Sequence, residues 1–356
     1  MAVASSKGLF DFKPAGKVDD DIIEWTNNNR SPEEQAIWGK YHDLATQHTD
    51  DTEVDDQILE AYRDACKLGR KKFLTFPEYQ EAAKKVDTRE IAVPTSHDGD
   101  FEVPVFIYTP KSLVGNPKNP AYIYAHGGGV NAAAASDLKP ALDFLAVQCG
   151  VVVFNVDYRL APETKSPNNV KDFYKVIKHV SCNSESLGID PGKICIAGDS
   201  GGGFICLGAM VMLAQRDEGN LVKLAIPSQP MVDDYSFGDP LCMTIEERWD
   251  HLKRRKAYQF IAYDLTSQWK CPLMFPGKAS DELLAKFPAT VIDTREFDMF
   301  ITETSRLAAR LRRAGRLLEL IVIPGAVHFV SAVPHLECSK LWIQTLKRCL
   351  QEYLLS

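Results

Sequence analysis

A single serine, Ser200, lies among glycines in the segment 194–206, which reads ICIAGDSGGGFIC. The stretch Gly198–Gly202 matches the pattern G-x-S-x-G at a point where a buried strand must turn sharply into a buried helix. In such a turn the serine takes strained backbone angles, its neighbours must be small, and its hydroxyl projects above the sheet edge. The pattern indicates a serine nucleophile, although alone it also fits a plain glycine-rich turn. The phosphate-binding pattern G-x-x-x-x-G-K-S/T does not occur in the sequence.

A serine nucleophile needs a general base, and three histidines follow Ser200 in the sequence. His251 lies in an irregular stretch, and His335 lies near the start of the last predicted helix. His328 directly follows LELIVIPGAV, the last predicted strand, and would lie on a loop at the carboxyl edge of the sheet. We therefore predict that His328 is the base.

The base in turn needs an acid that fixes its tautomer and stabilises the imidazolium. Four carboxylates compete for this role. Asp293 falls within the strand pattern ATVIDTREF, Glu296 lies near its end, and Glu303 belongs to the next predicted helix. Asp298 falls just beyond the strand, in the loop, and is therefore the predicted acid.

The segment HGGG at 126–129 also follows a predicted strand. Consecutive glycines leave bare N–H groups, and a tetrahedral oxyanion needs two or three such donors held in place beforehand. We expect the N–H groups of Gly127, Gly128 and Gly201 to supply them, the last at the start of a helix.

A dinucleotide-binding loop is the competing interpretation of this segment. Gly127, Gly129 and Ala132 satisfy G-x-G-x-x-A, and Asp157 ends the next predicted strand. This interpretation leaves the serine, the histidine and the acid without a role.

The elements that must position these residues alternate regularly. From about residue 86 a predicted hairpin around SHDGD is followed by strand and helix in turn, which predicts a mostly parallel sheet with helices on both faces, an α/β fold. Residues 1–85 are predicted to be helical. Residues 233–285 break the alternation and are interpreted as an inserted helical segment.

Composition limits the partners. The chain of 356 residues carries a net charge of −7, which argues against nucleic acid, and the basic run KRRK at 253–256 fits a solvated helix face. Nine cysteines without CxxC spacing fit free thiols in the cytoplasm, and no cysteine and histidine have the spacing of a metal site. No stretch is apolar over enough length to span a membrane.

Four motifs in order resemble the hormone-sensitive-lipase-like carboxylesterases of the α/β-hydrolase fold. They are HGGG at 126–129, DYRLAPE at 157–163, GDSGGG at 198–203, and EFD at 296–298 with PGAVHF at 324–329. The resemblance covers about residues 86–356. It implies an α/β-hydrolase core with a helical cap, formed by residues 1–85 and the insertion at about 233–285.

The resemblance also implies the site. It assigns Ser200 as nucleophile, Asp298 as acid and His328 as base. It assigns the oxyanion hole to Gly127, Gly128 and Gly201, gives DYRLAPE a structural role beside the glycine loop, and implies no metal or cofactor.

The sequence departs from the family pattern near the site. Gly201 stands where alanine is usual after the nucleophile, and Val130 where an aromatic residue usually follows HGGG. The acid motif reads DMFITE instead of D-P-L-x-D-E, and Phe329 follows the base instead of glycine. These changes leave the catalytic atoms in place and alter the walls of the pocket.

We therefore expect a serine carboxylesterase that hydrolyses small to medium hydrophobic esters through an acyl-enzyme. Alternatives are a specialised deacetylase or a lyase at the same site, or a non-catalytic receptor of small ligands. Receptors of this kind have lost the histidine, which is present here. Aromatic residues of the cap could line the pocket, namely Trp25, Trp38, Trp249, Tyr258 and Phe260, with core packing as the alternative. The sequence is compatible with a homodimer.

Overall fold

The molecule is built around a twisted sheet of eight strands. The computed structural model describes residues 16–29, 31–47, 56–95, 101–232, 271–328 and 332–356. The strands are β1 Val86–Pro94, β2 Glu102–Pro110, β3 Asn119–Ala125, β4 Val152–Val156, β5 Ile189–Asp199, β6 Leu224–Ser228, β7 Ala289–Phe297 and β8 Leu317–Val327.

The strand order is β1-β2-β4-β3-β5-β6-β7-β8, and β2 runs antiparallel to both of its neighbours. The remaining pairs are parallel, so the predicted α/β sheet and its first hairpin are confirmed. Every residue of β4 and β6 is buried, as expected for parallel strands covered on both faces. Because parallel strands share a direction, the carboxyl ends of β3, β5, β7 and β8 lie along one edge of the sheet.

Helices cover both faces of the sheet. They are α1 Asp20–Asn28, α2 Pro32–Gln47, α3 Asp56–Lys71, α4 Pro77–Ala83, α5 Lys139–Cys149, α6 Asn168–Cys182, α7 Ser184–Leu187, α8 Gly201–Gln215, α9 Asp281–Leu284, α10 Ile301–Arg313 and α11 Glu337–Cys349. Alternate residues of a strand enter two separate apolar clusters, as Ile123 and Tyr122 do. A membrane-spanning helix, which needs about 20 mostly apolar residues, is not found among the described helices.

The N-terminal helices reach the carboxyl edge of the sheet. Helices α2 and α3 pack against each other, and Arg63 of α3 donates from Nε to the carbonyl of Asn131 at 2.7 Å, just beyond the glycine loop. Helix α4 packs on α5. These contacts place the described part of residues 1–85 beside the loop that follows β3.

Only the end of the predicted insertion lies within the described residues. His251, the run at 253–256 and the aromatic residues predicted there fall in 233–270, outside them. Residues 271–285 include α9 and a short 3₁₀ turn, Pro276–Lys278, and bury Met274, Phe275 and Leu284 in the core cluster that contains α8. This end of the insertion packs into the core.

Candidate active site

Ser200 occupies the sharp turn between β5 and α8. Its backbone angles are φ 54° and ψ −115°, a strained conformation for a residue with a side chain, and the residue is buried. Gly202 makes the turn sterically feasible, because a Cβ at this position would lie 2.0 Å from the carbonyl oxygen of Ala125 at the end of β3. The strained turn at Ser200 is therefore packed tightly against the end of β3.

The structure brings Ser200, His328 and Asp298 together. The Oγ of Ser200 lies 3.0 Å from Nε2 of His328, and Nδ1 of His328 lies 2.7 Å from Oδ2 of Asp298. With the proton on Nδ1, the imidazole donates to the carboxylate and accepts from the hydroxyl. The other carboxylate oxygen of Asp298 accepts from the N–H of Phe300 at 2.7 Å, and the Phe300 ring packs edge-on against the imidazole.

The other three candidate acids bind other groups. Asp293 accepts hydrogen bonds from Ser228 Oγ at 2.8 Å and from Arg295 Nη1 at 2.5 Å. Glu296 accepts from the backbone N–H groups of Gly16 at 3.1 Å and Gly325 at 2.9 Å. Glu303 accepts from the N–H of Val232 at 3.1 Å. The remaining described histidine that follows Ser200, His335, is exposed and packs edge-on against Phe76.

The peptide of Gly127 is held on both sides. Its N–H donates to Oδ1 of Asp199 at 3.1 Å, and its carbonyl accepts from Nδ1 of His126 at 3.0 Å. The hydroxyl of Tyr124 also donates to Oδ1 of Asp199. The Gly127 N–H, one of the three predicted oxyanion donors, is therefore engaged by a carboxylate in this arrangement. This role of Asp199 was not predicted, although the place of the residue between Gly198 and Ser200 was a local signal for it.

The other two predicted donors, Gly128 and Gly201, differ from Gly127. Gly128 has φ 124°, a value that favours glycine, and its N–H has no acceptor among the described residues. Gly201 is the first residue of α8, where an N–H has no acceptor within its own helix. A Cβ on Gly201 would lie 2.6 Å from the nitrogen of Val130, so glycine in place of alanine lets the two loops approach closely.

Residues 157–163 brace the glycine loop. The hydroxyl of Tyr158 donates to the His126 carbonyl at 2.6 Å, and the Tyr158 ring stacks on the imidazole at 4.4 Å. Asp157, the ribose ligand of the dinucleotide hypothesis, instead accepts from the N–H of Ala135 at 2.8 Å. Burial lowers the pKa of His126, which keeps the imidazole neutral, with Nδ1–H donating to the Gly127 carbonyl.

A cavity of about 490 Å³ opens beside these groups. His328, Asp199 and Gly128 line it on the side of the sheet. Its other walls come from α1–α3, α5 and α11, and include Trp25, Trp38, Tyr62, Leu142 and Trp342. Trp25 and Trp38 thus line the cavity, one of the two roles that their positions in the sequence left open. Within the described residues, no group of three or more His, Cys, Asp or Glu side chains is placed to hold a metal ion.

Comparisons with known proteins agree with this architecture. Residues 122–331, more than half of the chain, match a family model described as alpha/beta hydrolase fold. The chain is 31% identical to carboxylesterase NlhH of Mycobacterium tuberculosis over 71% of this chain and 81% of the relative. It is 27% identical to an acetyl esterase of Salmonella choleraesuis over 69% and 74%. Among solved structures, a bacterial heroin esterase superimposes with a TM-score of 0.74 at 26% identity, covering 89% of this chain and 98% of the other.

Proposed function

The chain belongs to the α/β-hydrolase family and is a carboxylic ester hydrolase, and we propose that Ser200, His328 and Asp298 are its catalytic triad. The observation that supports this assignment is the hydrogen-bonded series from Ser200 Oγ to His328 Nε2, at 3.0 Å, and from His328 Nδ1 to Asp298 Oδ2, at 2.7 Å. The same hydrogen bonds argue against a non-catalytic receptor, because ligand binding alone does not require a base hydrogen-bonded to the serine.

The proposed reaction is hydrolysis through an acyl-enzyme. Ser200 Oγ attacks the ester carbonyl while its proton passes to His328 Nε2, and Asp298 stabilises the resulting imidazolium. The N–H groups of Gly128 and Gly201 bind the oxyanion of the tetrahedral intermediate. The intermediate expels the alcohol, which takes the proton from His328. Water then repeats the sequence on the acyl-enzyme and releases the acid.

We propose small to medium hydrophobic esters as substrates. The cavity of about 490 Å³ has apolar walls such as Leu142 and Trp342, and it begins at His328 and Gly128. A deacetylase is the second candidate, and the likeness to acetyl esterases favours it. The two differ in acyl length, so a series of esters separates them.

The first test compares Ser200→Ala with the wild type on 4-nitrophenyl esters from acetate to dodecanoate. We expect kcat to fall by about 10⁴-fold in the variant, because the nucleophile is lost while the fold remains. The Ser228→Ala variant is a matched control, since this hydroxyl lies in the same cavity but donates to Asp293. Ser200→Ala with wild-type activity would refute the assignment. Turnover restricted to acetate would favour the deacetylase.

The same proposal includes a cytoplasmic location and a cap. All eight described cysteines are free, as expected in a reducing compartment. Helices α1–α3 supply walls of the cavity, which supports a cap function for the N-terminal segment. The homodimer stays a prediction.

A further inference from the structure

Arg70, in the last turn of α3, lines the cavity of the proposed active site. Its Nη2 donates to the carbonyl of Gly127 at 3.3 Å, which places the guanidinium beside the glycine loop. This carbonyl already accepts from His126 at 3.0 Å, and the Gly127 N–H is held by Asp199 at 3.1 Å. The hydrogen bonds with His126 and Asp199 are therefore shorter than the one from Arg70, and they hold the Gly127 backbone in place without it.

Arg70 also differs from other cations of this region in having no ion pair within the described parts of the chain. Lys72, which lines the same cavity, pairs with Glu34 at 2.5 Å. Arg63, two turns earlier on α3, pairs with Glu163 at 2.7 Å. The carboxylates of Asp199 and Asp137 act on Arg70 only from beyond ion-pair distance. Asp199 accepts from Gly127 and from a tyrosine hydroxyl. Asp137 accepts from the N–H of Ala134 at 3.0 Å.

The polar neighbours of Arg70 on its own helix do not neutralise it. Tyr62 and Cys66 line the same cavity, two turns and one turn before Arg70 respectively, and act on its charge. Burial raises the pKa of both Tyr62 and Cys66, so both stay uncharged near neutral pH. A guanidinium remains charged under all ordinary conditions. The cavity thus holds a permanent positive charge beside the loop of the proposed oxyanion hole.

We propose that Arg70 is a specificity residue that binds a carboxylate on the substrate, so that the preferred esters are anionic ones. A guanidinium presents parallel N–H donors that match a carboxylate. Arg70 contacts the residue next to Gly128, so the carboxylate belongs a few bonds from the scissile carbonyl, with the hydrocarbon part against the apolar walls. This inference rests on the proposed function and narrows its substrates to those small to medium esters whose hydrocarbon part also carries a carboxylate.

The test uses pairs of ethyl esters with the same shape and different charge. Monoethyl succinate is paired with ethyl 4-methylpentanoate, and monoethyl glutarate with ethyl 5-methylhexanoate; in each pair an isopropyl group replaces the carboxylate. Acid release is followed by titration at constant pH for wild type, Arg70→Met and Arg70→Lys. We expect wild type to prefer the anionic member of each pair.

In Arg70→Met, kcat/KM for the anionic esters should fall by about 10- to 100-fold, mainly through KM, because one charge-assisted contact is lost. For the neutral esters, kcat/KM should change by no more than about threefold, since these esters carry no charged group that binds the guanidinium. Arg70→Lys should retain part of the preference, because the charge remains without the fork.

Arg63→Met is the matched control. Arg63 lies on the same helix and also donates to loop carbonyls, those of Asn131 and Ala161, but its charge is paired. The Arg63→Met variant should change kcat/KM by the same factor for both members of each pair. An equal fall for both members in Arg70→Met, through kcat, would assign Arg70 to loop support and overturn the proposal, as would a wild type that prefers the neutral esters.

Failure of the proposed function itself gives a separate result. In that case the wild type hydrolyses neither member of a pair, and a fluorophosphonate does not label Ser200. Labelling of Ser200 together with turnover of the neutral esters alone would retain the proposed triad and refute only the anionic preference.

Discussion

Asp293 and Asp298 lie five residues apart, and their different partners predict different results of removing each carboxylate charge. We expect Asp298→Asn to lower kcat by about 10⁴-fold with little loss of stability, because the imidazole loses the acceptor that fixes its tautomer. Asp293→Asn should keep kcat within about tenfold. It should lower the free energy of unfolding by about 3 kcal/mol, because it removes the carboxylate charge that pairs with the buried guanidinium of Arg295 at 2.5 Å.

Steady-state kinetics with 4-nitrophenyl acetate and denaturant unfolding of both variants separate the two effects. A loss of turnover in Asp293→Asn with full activity in Asp298→Asn would reverse the assignment of the acid. Both residues are nearly inaccessible to solvent, so burial does not distinguish them. The distinction comes from the contact of Asp298 with His328.

At the scale of elements, the turn from β5 into α8 depends on close approach to β3. A methyl group on Gly202 would lie 2.0 Å from the Ala125 carbonyl oxygen, and backbone atoms cannot move aside without displacing β3 or α8. We expect Gly202→Ala to lower the free energy of unfolding by about 3 kcal/mol or more. Activity should fall with it, since Ser200 would shift relative to His328.

Gly39→Ala is the control, because Gly39 lies in α2 with no atom within 4 Å of an added Cβ. This variant should gain about 0.5–1 kcal/mol, since alanine is the better helix former. Unfolding in urea at one pH measures both. If both substitutions change stability by the same small amount, the proposed packing of the turn against β3 is wrong.

The elements around the site could be predicted because their signals are local. Ser200 and His328 each directly follow a strand, and Asp298 directly follows β7, so the apolar runs before them and the rule of parallel strands placed them at one edge. The orientation of the Gly127 peptide could not be predicted in this way. Its N–H is held by Asp199, 72 residues away, and only the pairing of β3 with β5 brings the two together.

The cavity depends on the packing of the whole molecule, and apart from Trp25 and Trp38 its walls could not be predicted from the sequence. Its walls come from helices near both ends of the chain, α1–α3 and α11, with α5 between them. The contact between Arg70 and Gly127 spans 57 residues and depends on how α3 packs over the sheet. Periodicity predicts that α3 is a helix with an apolar face. It does not indicate which polar residue meets the glycine loop.

The cysteines give a prediction for the molecule as a whole. The eight described thiols are unpaired, and burial raises the pKa of most of them, to about 12 for Cys149 and Cys349. Among the described cysteines, Cys182 alone is exposed. Since the thiolate is the reactive form, a thiol reagent at pH 8 should modify Cys182 quickly in the native protein and the buried thiols only after denaturation.

The Cys182→Ser variant should therefore lose one equivalent of fast reaction, and a reductant should leave the thermal midpoint unchanged. A structural disulfide would contribute about 2–4 kcal/mol, enough to lower the midpoint by several degrees on reduction. A fall of that size would contradict both the unpaired thiols and the proposal of a cytoplasmic location. An unchanged midpoint would show that no disulfide stabilises the fold and would agree with stabilisation by burial of the two apolar clusters.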